Sequence, residues 1–196
     1  MWNNLYKNSD QKEKLFTKIY TQNKKNCKIL LTHIYDNMFF NRGENVSITD
    51  ENIKKIIDRA IKEAKQTSSK DVPVGCAILK DGHIIAASHN QKEELNDVTG
   101  HAEIIALRDA QKKLGTWRLN DCVMYVTLEP CPMCTWAIIS AGIDVLYYGS
   151  YNTQCGALGT VLDLRTIANS KLEAYGGIEE QKCDKILNNF FDELRK

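Results

Sequence analysis

No run of about 18 consecutive apolar residues occurs in this chain of 196 residues, so no transmembrane helix is expected. The opening residues 1–7 carry no apolar core of the kind that directs secretion, and the expectation is a cytoplasmic protein. A disulfide framework is missing as well, because the chain holds an odd number of cysteines, 7. Cys27, Cys76, Cys122, Cys155 and Cys183 stand singly among apolar neighbours, where a cysteine reads as a small buried hydrophobe. Only Cys131 and Cys134 form a C-x-x-C pair, and the lack of a second such pair excludes a four-cysteine zinc ribbon. No internal repeat is visible.

What is present is ordinary for a globular protein: 43% hydrophobic and 26% charged residues. The length suits one domain with a full core and a small added element. The net charge of +1 conceals an asymmetry: residues 1–46 carry eight Lys or Arg against four Asp or Glu, and the remainder carries 18 against 21. A basic extension on a mildly acidic body suits contact with nucleic acid, or simply a solvated lysine-rich helix. Within that extension Cys27, Leu30, Leu31, Ile34, Tyr35, Met38 and Phe39 recur at helical spacing before Gly43, and Leu15, Phe16, Ile19 and Tyr20 suggest an earlier helix. Residues 1–46 are therefore expected to form a helical extension, with Lys24, Lys25 and Lys28 on the opposite face, and residues 47–196 the main domain.

In the main domain Ile53, Ile56, Ile57, Ala60, Ile61 and Ala64 mark a helix after Asp50. Strands are expected at 72–79 and 84–88, joined by a turn at Lys80-Asp81-Gly82-His83. A polar loop covers 90–100, followed by a helix at 101–114 that Gly115 stops. A strand at 123–128, a helix at 131–141 stopped by Gly142, a strand at 143–148 and a last helix through Cys183, Ile186, Leu187, Phe190, Phe191 and Leu194 complete the order. Strands alternating with helices indicate an α/β sheet covered on both faces, and the opening hairpin makes that sheet mixed.

Two short pieces carry chemistry: Gly100-His101-Ala102-Glu103 and Glu129-Pro130-Cys131-Pro132-Met133-Cys134. Each lies where a helix begins after a strand, and in α/β sheets such helix starts gather at one edge, where sites form. Cys131 and Cys134 share one face of a first helical turn, and Pro132 suits the first helical position. Two thiolates and an imidazole fill three corners of a zinc tetrahedron and leave the fourth for water. Residues two apart on a helix point away from each other, so His101 is expected at the helix entry, with Glu103 curling back as a proton carrier. The rival reading of the pair is a redox dithiol with Pro132 between its cysteines. The H-x-E and P-C-x-x-C pieces together form the zinc deaminase signature, in which the glutamate is acid and base and not a ligand.

Beyond these pieces, Asp71-Val72-Pro73-Val74-Gly75, Tyr125-Val126-Thr127-Leu128 ahead of Glu129, and Gly156-Ala157-Leu158-Gly159 complete a pattern that resembles the bacterial tRNA-specific adenosine deaminases, a family of the cytidine-deaminase-like superfamily. The resemblance runs from about Ile53 to Phe191. It implies a three-layer α/β/α sandwich around a five-stranded mixed sheet, a homodimer, and one Zn2+ per subunit on His101, Cys131 and Cys134. It implies hydrolytic deamination of adenosine to inosine at the wobble position of a tRNA anticodon loop, with Glu103 moving the protons. Deamination of a free nucleobase or nucleoside is the alternative within the same superfamily. Substrate contacts implied by the resemblance are Asn90, Val74, Ala102 and Asn152. Asn152 stands where the family has an aspartate, Gly100 where it has alanine, and Trp136 where it has a small residue.

Overall fold

The structure is a computed structural model that describes residues 50–196. The helical extension expected over 1–46 lies outside the described residues. The first described helix, α1, is Asp50–Ala64, with Asp50 and Glu51 in its first turn, where acidic side chains meet the positive end of the helix dipole. Its apolar residues at helical spacing, Ile56, Ile57, Ala60, Ile61 and Ala64, are the buried face.

Strand β1, Gly75–Lys80, starts three residues later than the apolar run suggests. Pro73 has no N–H to give a ladder, and the Val74 N–H turns back onto the Val72 carbonyl at 2.8 Å. Asp81 (φ 50°) and Gly82 (φ 73°) then make a two-residue turn with both positions left-handed, the geometry that matches strand twist in a hairpin. Strand β2, His83–His89, returns antiparallel with Gly75 opposite His89. Helix α2 is Ala102–Leu114, ended by Gly115 at φ 66°. Strand β3 is Cys122–Leu128, helix α3 is Pro132–Ala141, and strand β4 is Val145–Ser150. Two short elements follow, helix α4 (Leu164–Ile167) and strand β5 (Glu173–Tyr175), both too short to show a hydrophobic period. Helix α5, Glu180–Leu194, closes the fold.

The five strands lie in the order β2-β1-β3-β4-β5. β1 is antiparallel to both its neighbours, while β3, β4 and β5 run parallel. Strand alternation divides the core into two layers. Cys76 and Ile78 of β1 and Met124 and Val126 of β3 join Ala106, Leu107 and Ile138 from α2 and α3 in one cluster. On the other face α1 packs on β1, β2 and β3, and α5 packs chiefly on β4. Gly75 sits so tightly under α1 that a Cβ there would fall on the Ala60 carbonyl. The result is a three-layer α/β/α sandwich. β3, covered on both faces, is buried along nearly its whole length, which explains its continuous apolar run. The start of β1, the end of β2 and the ends of β3 and β4 share one edge, since Gly75 pairs with His89 and Leu128 with Ser150.

Candidate functional site

At that edge two helices begin with their N-cap residues facing each other. His101 caps α2 at φ −73°, ψ 146°, and Cys131 caps α3 at φ −71°, ψ 171°. Both are extended at this position, so the chain turns sharply into each helix. Their carbonyls accept the first helical bonds, from Ile105 N–H at 3.1 Å and Thr135 N–H at 2.9 Å. Neither side chain caps its own helix, which leaves ring and thiol directed at one another. Pro132 takes the first helical position, and Cys134 follows within the same turn.

His101 Nδ1 lies 3.4 Å from Cys134 Sγ and 3.7 Å from Cys131 Sγ. The three donor atoms all fall within 4.8 Å of one another, the single such group of three or more among the described residues. Zinc bonds of about 2.3 Å to sulfur and about 2.0 Å to nitrogen, set tetrahedrally, require S···N edges of about 3.5 Å. The observed edges match that requirement, and two thiols with an imidazole nitrogen are the soft N/S set that zinc takes. The donors therefore fit one zinc ion. The hydrogen bond from Cys134 pulls the Cys131 thiol down to about 4, while that bond and burial push Cys134 up. The bond to Cys131 in turn raises His101.

Glu103, in the first turn of α2, is 4% exposed. Burial lifts its carboxyl to about 7, against the opposing pull of nearby His101. Its carboxyl is hydrogen-bonded with Cys134, which brings it to the donor group. Beneath it Cys76 of β1 is fully buried, and burial raises its thiol well above the ordinary value, leaving an inert floor. Cys122 and Cys183 are buried as expected of small hydrophobes, but Cys155 is exposed. It lies in a loop whose backbone turns inward just after it. Cys27 is outside the described residues.

Asn90 is buried just past the end of β2. Its Nδ2 donates to the Val72 carbonyl at 3.1 Å and its N–H to the Val74 carbonyl at 2.9 Å, but its Oδ1 has no partner within the protein. A buried acceptor without a protein partner is left for water or a ligand to satisfy. Val74, which takes the Asn90 N–H, is buried, and so is Ala102, whose carbonyl accepts from Ser88 Oγ at 2.6 Å. Asn152 stands differently. Its Oδ1 accepts from the Gln154 and Cys155 N–H groups at 3.2 and 3.1 Å, and its Nδ2 donates to the Glu129 carbonyl at 3.4 Å. That amide braces its own loop.

Sequence reasoning missed the other buried carboxylates of this edge, Glu63, Asp71 and Glu129. Asp71 accepts from the Glu93 and Glu94 N–H groups at 2.8 and 3.1 Å and so anchors the polar loop that leads into His101. The available signal was position alone: Asp71 and Glu129 both lie inside runs already noted for the motif they precede.

Comparison with known proteins gives a consistent picture. Residues 50–150 match the family described as the cytidine and deoxycytidylate deaminase zinc-binding region. The chain is 40% identical over 140 residues to a tRNA-specific adenosine deaminase of Bacillus subtilis (strain 168), covering 70% of this chain and 87% of the relative. It is 41% identical over 142 residues to the protein of the same name from Agrobacterium fabrum (strain C58 / ATCC 33970), covering 71% and 93%. A solved structure from studies of A-to-I editing by tRNA:A34 deaminases at the wobble position of transfer RNA superposes with a TM-score of 0.64. It is 38% identical and is matched over 68% of this chain and 99% of its own.

Proposed function

The chain belongs to the zinc-binding cytidine and deoxycytidylate deaminase family, among its tRNA-specific adenosine deaminases, and we propose that it hydrolyses adenosine to inosine at the wobble position of a tRNA anticodon, releasing ammonia. The observation that carries this reading is the buried Glu103 carboxyl placed against the His101, Cys131 and Cys134 group. A carboxyl that burial raises above its ordinary range is suited to take and give protons beside such a group.

His101, Cys131 and Cys134 would hold one zinc ion per subunit, which when bound supplies a Lewis acid that brings a water toward ionisation at neutral pH. Glu103 takes one proton from the attacking water and gives it to the adenine ring nitrogen, then takes the second from the hydroxyl formed at C6 and gives it to the departing amino group. Water adds at C6, and the C6–N bond breaks to leave inosine and ammonia. The open Oδ1 of Asn90 accepts a hydrogen bond from the base. Val74 walls the pocket, and Ala102 offers the N–H of a first helical residue, which has no partner within its helix. Asn152 acts on the substrate through the loop it braces. The wobble base enters this site by leaving its stack, at modest cost in a single-stranded loop.

The working unit in this reading is a homodimer. Helix α3 is mostly apolar, and Met133 (36% exposed) and Trp136 (49% exposed) stand with Ser140 outside its packed face. No described helix is long and apolar enough to cross a membrane. The six cysteines of the described residues, left unpaired, accord with a reducing, cytoplasmic setting. In this reading the deaminase unit is residues 47–196, and the extension expected over residues 1–46 lies outside the described residues. The test is to incubate zinc-loaded protein with tRNA bearing a wobble adenosine and, separately, with free purines, pyrimidines and their nucleosides. Inosine in the tRNA with ammonia released is the expected result; turnover of free bases alone would overturn the tRNA reading.

A further inference from the structure

Glu129 is the residue before the Pro-Cys of the metal turn, yet its side chain faces away from the donor group. It is 1% exposed, so its carboxylate must be answered from within the protein. Its hydrogen bonds all come from one loop, with the Arg165 guanidinium near enough to add opposite charge. Oε1 accepts from the Leu158 N–H at 3.0 Å and the Thr160 N–H at 3.2 Å, and Oε2 accepts from the Asn152 N–H at 3.2 Å. The next carbonyl, of Pro130, accepts from the Ala157 N–H at 3.0 Å and from Thr135 Oγ1 of α3 at 3.3 Å. Gly156 leaves the space that the carboxylate fills, since a Cβ there would fall on Oε2. The two separate sequence runs, Glu129-Pro130-Cys131 and Gly156-Ala157-Leu158-Gly159, are thus the two halves of one lock.

The outer side of the locked loop is open. Thr153, Gln154 and Cys155 are exposed, while Gly156, Ala157 and Leu158 are buried against the lock. The loop leaves the end of β4 beside the end of β3, so it borders the metal turn directly.

We infer that Glu129 is a positioning residue for substrate: it fastens the loop of residues 152–160 to the turn bearing Cys131, so that Thr153, Gln154 and Cys155 form a fixed rim for the nucleotides flanking the deaminated base. Glu129 touches neither the metal donors nor the base in this role. It sets the distance between the reacting centre and the surface that holds the rest of the RNA. The inference rests on the proposed tRNA substrate.

The experiment combines hydrogen exchange with kinetics on the zinc-loaded full chain. In the wild-type protein the Leu158 and Thr160 amides exchange slowly despite lying in a loop; exchange at free-peptide rates would overturn the lock whatever becomes of any variant. Glu129→Gln puts a donor where an acceptor served backbone N–H groups. It is expected to keep one zinc per chain and to leave exchange of the Thr135 amide in α3 unchanged, while the Leu158 and Thr160 amides speed up. Its kcat/KM on tRNA falls on the order of 10- to 100-fold, with the loss carried by KM and little change in kcat. Gly156→Ala, which crowds the carboxylate from the loop side, gives the same split. Unchanged kcat/KM alongside faster loop exchange, or loss of zinc with loss of kcat, would overturn the positioning role. If the wild-type protein deaminates no tRNA, the functional reading fails, and the exchange pattern still judges the lock.

Discussion

The Nδ1 of His89 lies 3.3 Å from Glu63 Oε2, joining the last residue of β2 to the last turn of α1. Glu63 Oε1 is held in turn by the Arg59 guanidinium, with Nε at 2.8 Å, and Gln91 Nε2 stands 3.3 Å from His89 Nε2. With Nδ1–H donating to the carboxylate, Nε2 is left to accept from the glutamine amide. Asn90, with its open Oδ1, sits between two residues that this chain of bonds holds still.

Glu63→Ala is therefore expected to destabilise the fold by about 0.5–1.5 kcal/mol, the net worth of a hydrogen bond whose remaining donors, half-buried His89 and exposed Arg59, can still reach water. It should also raise KM for tRNA, because the segment carrying Asn90 loses its anchor. Chemical denaturation gives the first quantity and steady-state kinetics the second. An unchanged denaturation midpoint would show that His89 finds another partner.

The metal group makes a second prediction. One zinc per chain is expected in the wild-type protein and none in the Cys131→Ala, Cys134→Ala double variant, as read by metal analysis. The double variant should also unfold at a lower temperature, since metal binding to a site absent from the unfolded chain is coupled to folding. Full zinc content in that variant would move the site elsewhere.

Glu103→Gln separates proton transfer from metal binding. The amide keeps the size of the side chain and cannot exchange protons, so zinc content should stay at the wild-type level. Turnover should fall about 10²- to 10⁴-fold or more, because general acid–base groups contribute on that scale and here one residue serves several steps. Wild-type turnover in this variant would assign the protons to another group.

The outer face of α3 yields the fourth. A dimer buried on Met133 and Trp136 should dissociate when Trp136 is replaced by glutamate, since an unpaired charge in an apolar interface is costly. Sedimentation is expected to report a dimer for the wild-type chain and a monomer for Trp136→Glu. A wild-type protein that sediments as an active monomer would dismiss the interface.

The sequence by itself determined the metal-donor set and most of the framework. The donor group His101, Cys131 and Cys134 was legible because metal chemistry accepts few residue types at few spacings, and because helix bounds are marked by Pro132, Gly115 and Gly142. The long elements were legible because burial imposes a period of 3.6 or 2 on ten or so residues. Tertiary structure alone decided what has no local signal. Strand β5 spans three residues and α4 four, too few for a period, and they form because neighbours receive them. β1 begins at Gly75 and not at Val72 because the backbone of 72–74 bonds within its own turn and with Asn90. Above all, the partners of Glu63, Asp71 and Glu129 are fixed by folding. A buried carboxylate needs donors, and the N–H groups that satisfy Glu129 come from residues 23 to 31 positions away, brought there only when β4 lies beside β3.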